Sequence, residues 1–256
     1  MSDTITFEQP LNERMRTFMR VEELYARCVY YIDQDHPWDT HIAVSTLIEL
    51  YALVTRGDLK RELLKEINRQ QTTLSHLAKL PDIDQAKLTS IINHQASLVI
   101  ELDHIEGPIF ANLREHDFVN AIRQRMAIPG GTCDFDLPAY HFWLSQESIT
   151  RKHKLQTWLA PFEVIQKAIH NCLDLIRGST SYSECLAESG FYQLTLNPQQ
   201  PNQLIRVSIN KNYQCFPEIS AGKHRISMSF LTHKNPDEAP KQLKEDIKFQ
   251  LSCCNF

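Results

Sequence analysis

The sequence predicts an α+β protein: an N-terminal helical bundle followed by a small, mostly antiparallel β-sheet domain. Three observations carry this prediction. Apolar residues recur at spacings of three and four over the first two thirds of the 256-residue chain, and helix-ending glycines and prolines fall between those segments. Beyond Gly190 the spacing changes to two, which is the period of a half-buried strand. Helices first and strands afterwards is the order of a segregated α+β chain, not of an alternating α/β one.

The elements follow in order. Leu11, Met15, Phe18, Met19, Tyr25 and Val29 lay one apolar stripe along a helix over residues 11–31. Pro37 opens a second helix whose Ile42, Leu47, Leu50 and Leu53 run to Gly57, a suitable C-terminal cap. Asp58 caps a third helix, carrying Leu59, Leu63, Ile67, Leu74 and Leu77, and Pro81 ends it. Asp82 with Gln85 makes a capping box for a fourth, which continues through Leu88, Ile91, Leu98, Leu102 and Ile105 until Gly107 and Pro108. Long helices joined by short loops form a bundle. A shorter helix over 118–126 precedes a loop at Pro129, Gly130 and Gly131 that runs toward Phe135, and Pro138 starts another helix. Residues 150–159 and 161–177 are helical by periodicity, the second ending at Gly178.

Residues 179–189 read as a linker. Beyond them Ile205, Val207 and Ile209 alternate with Arg206, Ser208 and Asn210, and Ile226, Met228 and Phe230 alternate with Arg225, Ser227 and Ser229. Residues 191–196 and 247–253 add two strands, with turns at Asn197-Pro198 and Ala221-Gly222. The expected organisation is a helical domain over 1–178, a linker over 179–189 and a β domain over 190–256. The helical domain is also where a homodimer contact is expected, because it carries more apolar stripe than one small bundle needs.

Composition narrows the function classes. No apolar run approaches the roughly 18 residues that span a bilayer, and residues 1–10 are polar, with Asp3 and Glu8 where a leader peptide is basic and then apolar. A cytoplasmic protein without membrane insertion is expected. Seven cysteines at scattered positions make a poor disulfide framework and fit reduced thiols. A net charge of -4 and a pI near 6.3 argue against nucleic-acid binding. The charge is uneven, however: Arg206, Lys211, Lys223 and Arg225 face only Glu218 between residues 203 and 233. That stretch attracts acidic ligands, unless its cations are ordinary solvated surface.

Catalytic patterns are missing. The chain has seven glycines, no Gly-rich phosphate loop, no nucleophile elbow and no His-Glu-x-x-His helix. His36 and His41 lie five apart and Cys253-Cys254 adjoin, neither of which is metal-ligand spacing. No catalytic residue, metal ligand or cofactor is assigned. A metal-dependent or other enzyme module built on the histidines and cysteines is the alternative from a different class. The sharper pattern is a basic stripe: Arg16, Arg20 and Arg27 fall within about 40° of one another on the first helix. Glu23 interrupts it at the spacing of intrahelical pairs with Arg20 and Arg27, so a salt-bridged face competes with a binding face. Arg56, next to Gly57, equally suits the negative end of a helix dipole.

A series of collinear blocks resembles the ZapD family. They include Pro10-Leu11-Asn12-Glu13 with Met15-Arg16-Thr17, Glu62-Leu63-Leu64-Lys65-Glu66, Arg69-Gln70-Gln71 and Arg123-Gln124-Arg125. Ile128-Pro129-Gly130-Gly131, Phe135-Asp136-Leu137-Pro138, Leu173-Asp174-Leu175-Ile176-Arg177, Gly190-Phe191-Tyr192-Gln193 and Phe216-Pro217 with Ile219-Ser220 continue the series over nearly the whole chain. The resemblance implies a symmetric homodimer that binds the C-terminal tail of FtsZ in a basic pocket, cross-links FtsZ filaments and is recruited to the division ring at midcell. Carried over by position, it implies tail-binding roles for Arg20, Arg56, His141 and Arg225, with Lys223 beside them and Arg16 and Arg206 as accessories. Asp117 and Ser229 depart from it, standing where members of the family carry arginine.

Overall fold

A computed structural model describes residues 3–79, 84–107, 109–197, 199, 202–222, 224–233, 235 and 237–256. The chain divides into two compact units, one formed by Thr17–Cys172 and the other by Met1–Arg16 with Leu173–Phe256. The boundary falls inside the first and the last long helices.

The helical unit contains most of α1 (Glu13–Ile32), then α2 (Pro37–Thr55), α3 (Leu59–Leu77), α4 (Gln85–Asp103), the one-turn α5 (Ala111–Arg114), α6 (Asp117–Met126), α7 (Pro138–Leu144), α8 (Ser148–Leu159) and, after a 3-10 turn, the start of α9 (Glu163–Arg177). Side-chain caps set where several of them begin. Asn12 Oδ1 accepts the Met15 amide at 2.9 Å, and His36 Nδ1 accepts the Trp38 amide with Pro37 in the first helical position. Asp58 accepts from the Arg61 amide and Asp84 from the Lys87 amide, each at 3.0 Å. The cap of α4 is therefore Asp84; Pro81 and Asp82, expected to end one helix and start the next, lie outside the described residues, as does Pro108.

The buried residues of α2 (Thr40, Ala43, Val44, Thr46, Leu47, Leu50 and Val54) are spread around the helix, which packs against α7 and α8. A buried polar chain runs through the same unit. Glu66 on α3 is fully buried and accepts from Arg69 Nη2 at 2.6 Å and from Gln70 Nε2 at 3.1 Å. Gln70 Nε2 also donates to the Cys172 carbonyl, and its Oε1 accepts from Gln95 Nε2 on α4 at 2.8 Å. Helices α3, α4 and α9 are thus linked by polar groups whose desolvation demands partners.

The β unit departs from expectation in extent. Two antiparallel sheets form it. The first has the order β1 (Thr4–Pro10), β4 (Leu204–Asn210), β8 (Ile247–Cys254), β2 (Ser183–Ala187). The second has the order β3 (Phe191–Thr195), β6 (Arg225–Thr232), β5 (Phe216–Ala221), with the two-residue β7 (Lys241–Gln242) also on β6. Val207, Ile209, Phe249 and Leu251 of the first sheet are buried in one apolar cluster with Ile226, Met228 and Phe230 of the second, and the Phe230 and Phe249 rings lie 5.0 Å apart.

Four strands escape a reading of sequence alone, the two-residue β7 among them. β1 pairs with β4 across some two hundred residues, Thr4 opposite Asn210 and Pro10 opposite Leu204, so nothing local marks it. β2 lies in the stretch expected to be a linker; it is a largely exposed edge with little alternation to detect. β5 contains Pro217, which argues against a central strand but is tolerated at the end of a sheet order.

Glu8 ties the β unit together. It stands directly opposite Arg206, whose Nε donates to its Oε1 at 2.9 Å, while Arg177 at the end of α9 donates to its Oε2 from Nη2 at 2.8 Å. All three side chains are about one-fifth exposed, so the ions are largely but not wholly desolvated. Removing the carboxylate takes away an ion pair from each of the two guanidinium groups. Glu8→Ala is expected to lower the unfolding free energy by about 2 kcal/mol, measured by urea denaturation, with Glu8→Gln intermediate because it keeps one acceptor.

Candidate functional site

The helical unit carries three of the side chains that the family resemblance marks. Arg20 is exposed on α1 and makes no hydrogen bond or ion pair with a described residue. The expected pair with Glu23 is absent; Glu23 instead meets Arg27 at 3.6 Å, and Arg27 also reaches Glu49 at 3.9 Å. Arg56 is the exposed C-cap of α2, helical in backbone, where its charge suits the helix dipole. Its neighbours Thr55 and Gly57 line a cavity of about 540 Å³ whose walls also include Tyr51, Lys60, Phe110 and Arg114. His141 is exposed on α7. Among the described residues no hydrogen bond or ion pair joins the side chains of Arg20, Arg56 and His141 to one another.

An aromatic cluster that no sequence pattern predicts joins α6, α7 and α8. Phe118, Tyr140, Trp143 and Trp158 lie with ring centroids 5.8 to 6.2 Å apart, Tyr140 and Trp143 being stacked. These residues come from α6, α7 and α8, so their proximity has no short-range signature. Asp117 sits in the first turn of α6, where a carboxylate favours the positive end of the helix dipole. That gives the acid at this departure from the family pattern a local structural role.

The β unit carries the others. Arg206 and Arg16 are engaged within it: Arg206 binds Glu8, donates to the Arg177 carbonyl at 3.2 Å and lies 5.3 Å from the Tyr182 ring, while Arg16 pairs with Glu13 at 3.3 Å. Arg225 differs. It opens β6 exposed, with no described ion-pair partner. Lys223 lies outside the described residues.

Arg225 belongs to the outer face of the second sheet, set by the strand register. Thr195 stands opposite Arg225; Gln193, Ser227 and Ser220 form the next row across β3, β6 and β5; Phe191, Ser229 and Glu218 form the third. Ile226, Met228 and Phe230, between these residues on β6, turn inward to the core. Gln193, Thr195, Ser220, Ser227 and Arg225 line an open concavity of about 640 Å³.

The cysteines are all free. Burial pushes the Cys28 thiol up to about 12 and the Cys253 thiol up to about 11, which keeps both protonated and poorly nucleophilic at neutral pH. Among the described residues no group of three or more His, Cys, Asp or Glu is placed to hold a metal ion, and no helix is long and apolar enough to cross a membrane.

The helical bundle and the two-sheet β unit each expose cations without a described ion-pair partner: Arg20 and Arg56 in the first, Arg225 in the second. Comparison with known proteins gives the family. The family model ZapD, described as a cell division protein, matches residues 19–229, and the chain belongs to that family. It is 36% identical to a cell division protein ZapD of Chromobacterium violaceum over 252 residues, covering 98% of this chain and 100% of that protein. It is 38% identical to a namesake in Methylococcus capsulatus, covering 99% of each chain, and 37% identical to one in Coxiella burnetii, covering 100% of each.

One titration follows from the helical unit. His41 is half-buried, with its Nδ1 3.0 Å from the Tyr140 hydroxyl, and burial lowers its pKa below the ordinary 6.5. The unfolded chain therefore takes up this proton more readily than the folded one, and stability falls as pH drops below about 6.5. His41→Asn is expected to flatten that part of the pH profile, read as thermal midpoints between pH 7.5 and 5.5.

Proposed function

We propose that this protein binds the C-terminal tail of FtsZ through exposed cations and, as a symmetric homodimer, cross-links and bundles FtsZ filaments at the division ring, without catalysis. The observation that carries this reading is a contrast among arginines. Arg20, Arg56 and Arg225, which the family pattern marks for tail binding, are exposed without a described ion partner, whereas Arg16 and Arg206 are held by Glu13 and Glu8. A solvated cation kept free of partners in a chain of net charge -4 is available to an acidic ligand. Family membership supplies the cell-division context.

Dimerisation is what turns a tail binder into a cross-linker. A two-fold dimer presents two equal sites, and the many tails along a filament supply avidity even where one contact is weak. Exposed apolar side chains in the helical unit, among them Tyr30, Trp38, Phe142 and Ile149, each more than 60% exposed, support placing the dimer contact there.

The test is co-pelleting with FtsZ polymers with and without the FtsZ tail. The protein is expected to pellet only with tailed filaments and to release as salt rises through physiological strength. Arg20→Glu, Arg56→Glu and Arg225→Glu are each expected to weaken binding of a tail peptide by about 1 kcal/mol, roughly fivefold, at unchanged thermal midpoint for Arg20→Glu and Arg225→Glu and a slightly lowered one for Arg56→Glu, which sets an acid at the C-terminal end of the α2 dipole. Equal pelleting of tailless FtsZ, or a monomer at micromolar concentration in sedimentation, contradicts the proposal.

A further inference from the structure

The outer face of the second sheet is ordered in charge. Arg225 stands in its first row, the neutral Gln193, Ser227 and Ser220 in its second, and Phe191, Ser229 and Glu218 in its third, with the exposed Phe191 and Glu218 on either side of Ser229. Arg225 and Glu218 are separated by two rows, about 13 Å at 3.3 to 3.4 Å per residue, too far to neutralise each other. Neither has an ion-pair partner among the described residues, and the row between them offers hydrogen-bonding groups without charge. The face thus presents a cation on β6, a polar middle row and, diagonally across it, an anion on β5.

We infer that this face docks one occupant: an extended peptide carrying a carboxylate at one end and, about four residues along, a cation. The carboxylate meets Arg225 and the cation meets Glu218. Gln193 and Ser227 hydrogen-bond the peptide main chain between them, and an apolar side chain rests on Phe191, which is 44% exposed. The charge order fixes the direction in which the peptide lies, because the reversed peptide sets like charges against both ends. The inference rests on the proposed function, under which the peptide is the FtsZ tail, and it adds Glu218, Gln193 and Ser227 as specificity-determining residues.

Glu218→Lys tests it, because a purely basic site and a dipolar one forecast opposite signs. On a purely basic surface, the added cation tightens binding of an acidic tail; on the dipolar face, it repels the peptide's cation. Fluorescence anisotropy with a labelled FtsZ tail peptide is expected to show binding about fivefold weaker for Glu218→Lys, and similarly weaker for Gln193→Ala with Ser227→Ala combined. All three positions are on the outer face, so thermal midpoints should hold and report on folding. Unchanged or tighter binding by folded Glu218→Lys overturns the inference while leaving tail recognition through Arg20, Arg56 and Arg225 intact. A wild-type protein that does not bind the tail overturns both.

Discussion

The β unit depends on a carboxylate contributed from far away in sequence. Glu8 and Arg177 are 169 residues apart, and Glu8 and Arg206 are 198 apart, yet one side chain serves both cations. The strand that carries Glu8 completes the first sheet at its β4 edge, so the unit closes only after the whole helical segment has been traversed. Loop closure of that length costs little more than a shorter one in free energy, but it places the contacts late in folding. The charge triad explains why β1 keeps one register. A slip by one residue moves Glu8 away from Arg206 and turns its side chain to the opposite face.

The helical unit solves a similar problem with neutral amides. Glu66 is fully buried, and Gln70 and Gln95 pass hydrogen bonds from it to α4 and to the Cys172 carbonyl on α9. Such a chain specifies which helices are neighbours, because an apolar alternative partner leaves a buried amide unsatisfied. Arg151 does comparable work at another corner, where it is 4% exposed, bonded to Thr40 Oγ1 at 3.0 Å and donating to the carbonyls of Asp35, Leu144 and Gln146. Buried arginines and amides here hold the backbone; those left in solvent are of a different kind.

The sequence was most legible where order is local. Pro37, Asp58 and Pro138 announce helices because capping and fixed φ act within one turn. The alternation in β4 and β6 was readable because apolar and polar residues alternate along each, with Val207, Ile209, Ile226, Met228 and Phe230 in one core cluster. β1, β2 and β5 were not, since their pairing is long-range, exposed or interrupted by Pro217. The site divides in the same way. Arg225 is marked by its place in an alternating strand and by family resemblance. Glu218 looked like one acid among cations until the register put it two rows away on the same face. The stripe of Arg16, Arg20 and Arg27 was real as a helical face, but structure separates its members by their partners: Glu13 for Arg16, Glu23 and Glu49 for Arg27, none described for Arg20.

That separation bears on how a slightly acidic protein presents a basic surface. Composition alone opposes an acidic ligand, because the average field is negative. Local pairing changes the balance: where Glu8 neutralises Arg177 and Arg206 in a largely desolvated site, those charges are spent on structure, Glu13 offsets Arg16 at the surface, and the cations that remain unpaired dominate what an approaching carboxylate meets at Debye-length range. A face holding both an unpaired Arg225 and an unpaired Glu218 goes further, since it rewards the order of charges in a ligand and not merely their sum. Recognition by order resists competition from the many acidic surfaces of a cell, which a simple basic patch does not.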